Sequence, residues 1–148
     1  MSKDRPDVAQ RAAFGHFLTM PTRWMDNDAY GHINNVVYYS YFDTLVNRFL
    51  IDEGGLDYHN GEIVGIIAES ACNYWSPFVY PEDVEGALAV GRLGTSSVRY
   101  EIGLFGTGDE AARAQGHFVH VFVARDTMRP VPIPDQIRNA LQRLLHDN

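Results

Sequence analysis

The chain has 148 residues and a mass of 16.7 kDa, a length typical of a single domain. Hydrophobic residues make up 45% and charged residues 21% of the chain, which excludes a disordered or collagen-like protein. The formal net charge of −7 argues against a dedicated nucleic-acid-binding surface, because such surfaces use Lys and Arg to neutralise phosphates.

The cysteine content and the hydropathy pattern narrow the class of protein further. Cys72 is the single cysteine, so neither an intramolecular disulfide nor a thiolate zinc site is expected. The longest apolar run, residues 63–68, is far shorter than the ~18 residues that a membrane span needs. The N-terminal segment is charged and polar where a secretory signal would be apolar. We therefore expect a cytoplasmic protein with no bound metal.

The N-terminal half is predicted to contain a flexible arm, one strand and one long helix. Residues 1–13 combine Pro, charges and small residues without periodicity and are predicted to be a flexible arm, so residues 14–148 form the domain. Residues 14–25 are predicted to be a strand that Pro21 interrupts. Asn34 or Asn35 can cap the helix that follows, and Gly54-Gly55 can end it. Its apolar side chains recur at steps of three and four residues and form one stripe: Tyr38, Tyr41, Phe42, Leu45, Val46, Phe49 and Leu50.

The remaining sequence is predicted to form strands and one short C-terminal helix. The predicted strands cover residues 63–75, 87–93, 98–104 and 112–124, and the predicted helix covers residues 135–145. Because no helix separates these strands, we predict an α+β fold in which a curled antiparallel sheet wraps the long central helix. The last strand is apolar on both faces, so we expect oligomerisation to cover the second face.

Three ionisable residues on the predicted strands could belong to a site. His117 and His120 lie three positions apart on one strand and are predicted to face opposite ways, which argues against a shared metal. Glu69 is predicted to share a strand face with Ile63 and Ile67, where an interface or structural role is favoured.

The segment between the first strand and the long helix carries the clearest chemical signal. Asp26, Asp28, His32, Asn34 and Asn35 lie within ten residues, next to the N–H groups at a helix start. Singly, such residues are most often caps and turn formers. Together they offer a nucleophile or base beside donors that can stabilise an oxyanion. Asp26 is predicted to be structural, because alternate residues of an extended segment point in different directions.

This segment resembles one family. The run from Asp26 to Asn35 fits the pattern D-x-D-x-x-G-H-x-N-N-x-x-Y, which continues to Tyr38, with a strand before it and a long helix after it. It resembles the hotdog-fold thioesterases of the 4-hydroxybenzoyl-CoA thioesterase type, which are similar to acyl-ACP thioesterases. The resemblance implies a single hotdog domain, a homodimer with the active site at its interface, and further pairing into a homotetramer.

The resemblance also implies roles for individual residues. Asp28 matches the catalytic carboxylate, Asn35 matches the residue whose backbone N–H polarises the thioester carbonyl, and His32 matches a histidine that forms hydrogen bonds within the site. Tyr30 occupies a position where the acyl-ACP relatives have Asn, so their full catalytic set does not transfer. The expected substrate-binding residues are Tyr30, Gly31, Asn34, Tyr38, Ser96, Ser97 and Arg99, of which Ser96 and Ser97 match a turn beside the pantetheine arm and Arg99 is a candidate for contacting CoA phosphates.

These implications lead to a prediction of an acyl-CoA thioesterase that uses no cofactor other than the CoA of its substrate. The acyl group, and the choice between CoA and an acyl-carrier protein, stay open at this stage. Two alternatives also remain: a hydratase or dehydratase of acyl thioesters, which uses an acid and a His for proton transfer, and a non-catalytic acyl-CoA-binding module.

Overall fold

A computed structural model describes residues 5–145 of the chain. A five-stranded antiparallel sheet has the strand order β1-β3-β4-β5-β2. The elements in chain order are β1 (His16–Pro21), α1 (Tyr38–Asp52), β2 (Ile63–Tyr74), β3 (Asp83–Leu93), β4 (Ser97–Phe105), β5 (Ala114–Ala124) and α2 (Asp135–Gln142). The predicted order of elements is confirmed, and the sheet curls around α1 as in a hotdog fold.

Helix α1 lies against the concave face of the sheet. Every side chain of its predicted apolar stripe is buried, and Phe42, Leu45 and Leu50 are fully inaccessible. Two structural features define the ends of the helix. Asn34 caps the short 3-10 turn that leads into it, and Gly55, with a φ of 66°, reverses the chain after it. This burial fixes the position of the helix N-terminus relative to the sheet.

The predicted first strand is too long. Strand β1 ends at Pro21, and the chain then enters a 3-10 turn at Trp24–Asp26 instead of continuing to residue 25 as a strand. The cause lies in local hydrogen bonding, because the N–H of Asp26 donates to the carbonyl of Arg23 at 3.0 Å and closes the turn. This turn directs the following loop toward the start of α1.

A β-bulge in β2 changes which face Glu69 occupies. The pairing of β2 with β5 shifts between Ile67 and Glu69, so that Ala68 has no direct partner. As a result Glu69 lies on the outer face, where its carboxylate contacts His117 at 3.1 Å. Ile63 packs against the core on the opposite face. The prediction that Glu69 shares a face with Ile63 and Ile67 is therefore wrong, because the bulge breaks the two-residue alternation.

Residues 5–14 cover part of the outer face of the sheet. Arg11 forms a bidentate pair with Glu85 at 3.2 Å, and the ring of Phe14 packs edge-on against Phe105 at 5.8 Å. The predicted flexible arm thus makes specific contacts from Arg5 onward, while residues 1–4 lie outside the described part of the chain. Part of the second apolar face is consequently covered within one chain, without a partner.

The two histidines of β5 face opposite ways, as predicted. His117 lies half-buried on the outer face, whereas His120 is 2% exposed beneath the sheet. The Nδ1 atom of His120 is 3.0 Å from the hydroxyl of the fully buried Tyr100. Burial lowers the pKa of His120 from 6.5 to about 4, because the interior disfavours the charged imidazolium.

Protonation of His120 should weaken the fold in mild acid. The histidine binds its proton near pH 6.5 when unfolded but only near pH 4 when folded, so the unfolded state takes up more protons between these values. The free energy of unfolding is therefore highest above pH 6.5 and decreases as the pH falls to 4. The contribution of His120 to this decrease is on the order of 3 kcal/mol.

Urea unfolding at several pH values tests this expectation. His120→Gln, which keeps an acceptor for Tyr100 but does not titrate, should lose less stability than the unmodified chain between pH 7 and 4. The matched control is His59→Gln, at an exposed position. An unchanged pH dependence in His120→Gln would contradict the assignment.

Candidate active site

A salt bridge between the exposed side chain of Arg23 and the buried carboxylate of Asp26 anchors the loop that precedes α1. Both oxygens of the Asp26 carboxylate accept hydrogen bonds from Arg23, at 2.8 and 3.0 Å, and Asp26 is only 5% exposed. The carbonyl of Asp26 also accepts the N–H of Asn34 at 2.8 Å. Asp26 thus ties both ends of the loop together, which agrees with the structural role predicted for it.

Two further bonds attach the loop to the segment after β2. The N–H of Ile33 donates to the carbonyl of Phe78 at 2.9 Å, and the hydroxyl of Thr22 donates to the carbonyl of Glu82 at 2.7 Å. Ile33 and Thr22 are both buried, so these bonds are shielded from water. The loop is therefore held at its base, and residues 27–32 project from that base.

Asp28 occupies the projecting part of the loop. Its Oδ1 atom accepts the N–H of Tyr30 at 2.8 Å and the N–H of His32 at 3.3 Å, while its own N–H donates to the carbonyl of His32 at 2.8 Å. Gly31 between them has a φ of 82°, a conformation that favours glycine. These bonds orient the carboxylate, and its Oδ2 atom bonds to no residue in the range 5–145.

The start of the helix presents a backbone donor close by in sequence. The side-chain oxygen of Asn34 accepts the N–H of Val36 at 3.2 Å, which caps the turn. The N–H of Asn35, by contrast, donates to none of the described residues. The hydroxyl of Tyr74 donates to the carbonyl of Asn35 at 3.3 Å and so braces this turn against the end of β2. The helix N-terminus therefore has an available N–H and a partial positive charge.

A cavity of ≈ 470 Å³ opens at this loop and is lined by Trp24, Met25, Asn27, Asp28, Ala29 and Gly31. A Cβ atom on Gly31 would meet no atom within 4 Å, so this part of the cavity stays open. No salt bridge among the described residues involves Asp28. The cavity thus combines an unpaired carboxylate with an apolar wall.

The structure brings together most, but not all, of the predicted site residues. Asp28, Tyr30, Gly31, His32, Asn34 and Asn35 share the loop and the helix start. The contribution of His32 to these hydrogen bonds is its backbone, since its exposed imidazole bonds to no described residue. Tyr38 is buried in the core, where its ring packs on Tyr74 at 5.0 Å and on Phe78 at 6.0 Å.

Ser96, Ser97 and Arg99 lie away from this loop, in the turn before β4 and on β4 itself. The guanidinium of Arg99 contacts Glu101 at 2.8 Å and the Nδ1 atom of His117 at 3.3 Å. Arg99 and His117 line a second cavity of ≈ 670 Å³ between the N-terminal segment and the outer face of the sheet. Within one chain, therefore, these three predicted residues do not share the cavity of Asp28.

Sequence reasoning missed two residues that shape the loop. The pairing of Arg23 with Asp26 has a sequence signal, since a basic and an acidic residue three positions apart lie on one side of a tight turn. The contact of Tyr74 with Asn35 joins residues 39 positions apart and has no local signal. Only the folded chain could show it.

Within residues 5–145, no group of three or more His, Cys, Asp or Glu side chains is placed to hold a metal ion. None of the helices in the same range is long and apolar enough to cross a membrane.

Comparison with known proteins identifies the family. A sequence profile of the thioesterase-like superfamily matches residues 22–141, which includes the whole Asp28 loop and α1. The chain belongs to the thioesterase-like superfamily. Among curated proteins, no relative of this thioesterase-family chain is found.

Solved structures support the same placement. The PA5185 protein of Pseudomonas aeruginosa is 49% identical to this thioesterase-family chain, with a TM-score of 0.93 over 95% of this chain and 99% of that one. The PA2801 protein of the same organism, proposed to be a thioesterase, is 34% identical with a TM-score of 0.80 over 84% of this chain and 96% of its own. A DHNA-CoA thioesterase from Staphylococcus aureus shares the fold at 21% identity, with a TM-score of 0.75 over 86% of this chain and 91% of its own.

Loss of the Asn34 cap should loosen the helix start. Asn34→Ala removes the acceptor for the N–H of Val36 and should lower the free energy of unfolding by about 1 kcal/mol. Asn35→Ala is the matched control, because the Asn35 side chain bonds to no described residue and its backbone N–H remains. Urea unfolding of the two variants checks this; an equal effect in both would contradict the capping role.

Proposed function

We propose that this protein hydrolyses the thioester of an acyl- or aryl-CoA to a free acid and CoA. The observation that carries the proposal is that one anchored segment of a thioesterase-family chain holds both an oriented Asp28 carboxylate and, seven residues later, an available N–H at Asn35. Thioester hydrolysis needs a group that attacks the carbonyl carbon or activates water, and a donor aimed at the developing oxyanion. Asp28 and Asn35 meet these two needs.

The reaction follows from these two groups. As a general base, Asp28 takes a proton from water while the hydroxide forms a bond to the carbonyl carbon, and the N–H of Asn35 stabilises the resulting oxyanion. The tetrahedral intermediate then collapses, the C–S bond breaks, and the proton on Asp28 passes to the departing CoA thiolate. As a nucleophile, Asp28 would instead form an anhydride with the acyl group and release CoA, and water would then hydrolyse the anhydride.

In our proposal His32 and Gly31 support this chemistry through the backbone, and Asn34 supports it through its side chain. Gly31 supplies the turn that lets the N–H of His32 reach Asp28, and Asn34 caps the turn that presents the N–H of Asn35. Tyr30 is 86% exposed beside this turn, where a bound substrate can contact it. CoA is the cofactor-like part of the substrate and no further cofactor takes part.

Substitution of Asp28 tests the proposal most simply. Asp28→Asn keeps the size of the side chain and an acceptor oxygen for the N–H groups but removes the base, so thiol release from acyl-CoA should fall roughly 100- to 10,000-fold. The assay is release of free CoA thiol from short, long and aromatic acyl-CoAs. Asp43→Asn, an exposed carboxylate of α1, is the control and should retain the activity of the unmodified enzyme.

The outcomes separate the competing functions. Unchanged thiol release in Asp28→Asn would contradict the assignment of this carboxylate. Hydration of an enoyl-CoA without thiol release would indicate a hydratase, and binding of acyl-CoA without any turnover in the unmodified chain would indicate a non-catalytic module.

We also propose that the working unit is a homodimer joined along β2. This strand is a sheet edge of 12 residues, and residues 66–70 are all exposed, including Ile66 and Ile67. A long apolar edge with unpaired backbone groups is a template for pairing with another strand, and natural proteins rarely leave one open. Because Tyr74 at the end of β2 contacts Asn35, a second copy paired there would lie next to the helix start.

Solution mass tests the dimer. Light scattering should give at least twice the 16.7 kDa chain mass, and four times that mass would correspond to a pair of dimers. Ile67→Lys, which places a charge on the paired edge, should shift the mass toward one chain and reduce thiol release. Val8→Lys, at an exposed apolar position on the N-terminal segment, should change neither. A single-chain mass for the unmodified protein would contradict the proposal.

A further inference from the structure

An exposed apolar surface lies beside Asp28. Trp24 is 75% exposed and Met25 is 76% exposed, although side chains of this size are usually covered in a folded protein. Both residues line the cavity that contains Asp28. Contiguous exposed apolar surface of this kind marks a place where a ligand or a partner binds.

The position of this surface is fixed by the fold. Trp24 begins the 3-10 turn that the Arg23–Asp26 ion pair closes, and its ring packs edge-on against Tyr80 at 5.7 Å. Tyr80 belongs to the segment after β2 that also holds Ile33 through the carbonyl of Phe78. The contacts that hold the Asp28 loop therefore also hold the indole of Trp24. Its position relative to the Asp28 carboxylate is fixed by these contacts.

The chemistry of the cavity favours an apolar occupant over an anionic one. Asp28 is the ionisable residue among those lining the cavity, and no salt bridge within residues 5–145 neutralises it. An acyl group that carried its own carboxylate would be repelled there. The flat faces of Trp24 and the flexible thioether of Met25 match an alkyl chain or an aromatic ring.

We propose that Trp24, Met25 and Tyr80 form the acyl-binding surface, and that Trp24 selects long apolar or aromatic acyl groups over short or anionic ones. The inference rests on the proposed thioester hydrolysis. If the thioester carbonyl is held at Asp28, the acyl chain attached to it must lie along one wall of the same cavity. The apolar wall is the side on which burial of the chain releases the most water.

The dependence of rate on chain length tests this surface. In the unmodified enzyme, kcat/KM should rise roughly two- to fourfold for each methylene added from acetyl- to decanoyl-CoA, as expected for a partly or fully buried chain. In Trp24→Ala this dependence should flatten, so that decanoyl-CoA loses at least about tenfold while acetyl-CoA stays within about threefold. Trp24→Phe should retain most of the dependence, and Tyr58→Ala, an exposed aromatic residue outside this cavity, should retain all of it.

A binding measurement provides an independent readout. The chain contains two Trp residues, so in a Trp75→Phe background the intrinsic fluorescence reports on Trp24 alone. Decanoyl-CoA added to the slow Asp28→Asn form of this variant should change that fluorescence, whereas CoA alone and acetyl-CoA should not.

The failures of the two proposals are distinguishable. Absence of thiol release from every acyl-CoA in the unmodified enzyme would defeat the proposed hydrolysis, whatever the fluorescence shows. Hydrolysis with an equal loss for all chain lengths in Trp24→Ala, or with no loss, would overturn the acyl-binding surface. A fall in the solution mass of Trp24→Ala would also overturn it, because it would show that a second copy covers Trp24.

Discussion

The burial of α1 against the curled sheet is the constraint on which the rest of the structure depends. Seven side chains of one helix face fill the concave side of the sheet, and this packing leaves the helix one position and one direction. The N-terminus of α1 is consequently fixed near the end of β2, where Tyr74 contacts Asn35. The hydrophobic core thereby sets the position of a backbone donor, and the side chains of Asn34 and Tyr74 support the turn that carries it.

The loop before α1 turns this fixed helix end into a candidate site. Its base uses the Asp26 carboxylate, the N–H of Ile33 and the hydroxyl of Thr22, and its tip uses the Oδ1 atom of Asp28 to accept two N–H groups. Among the described residues, this leaves the Oδ2 atom of Asp28 and the N–H of Asn35 without partners. Each of these two groups is held in position by the bonds of its neighbours, so a substrate that used them would require little reorganisation of the loop.

Local patterns in the sequence predicted the helices, the strands and the loop before α1. Features that depend on contacts between distant residues could not be predicted in this way. The three- and four-residue spacing identified every buried residue of α1, and the Asp-Asn-rich segment identified the loop and limited its cap to Asn34 or Asn35, of which the structure uses Asn34. The face of Glu69 could not be predicted, because the bulge at Ala68 arises from pairing with β5. The docking of Arg11 on Glu85 likewise depends on residues that are 74 positions apart. The placement of Ser97 and Arg99 relative to Asp28 depends on the proposed second copy, which one sequence does not describe.

In our proposal the Asp28 carboxylate and the Asn35 N–H together receive a thioester carbonyl. The most direct measurement is a crystal structure with a decanoyl-CoA analogue in which a methylene replaces the thioester sulfur, so that the carbonyl remains but cannot be hydrolysed. We expect its carbonyl oxygen about 3 Å from the Asn35 nitrogen. We expect Oδ2 of Asp28 about 3–3.5 Å from the carbonyl carbon, or one water molecule away. An analogue bound with its carbonyl elsewhere, for example in the outer cavity beside Arg99 and His117, would contradict the roles of Asp28 and Asn35.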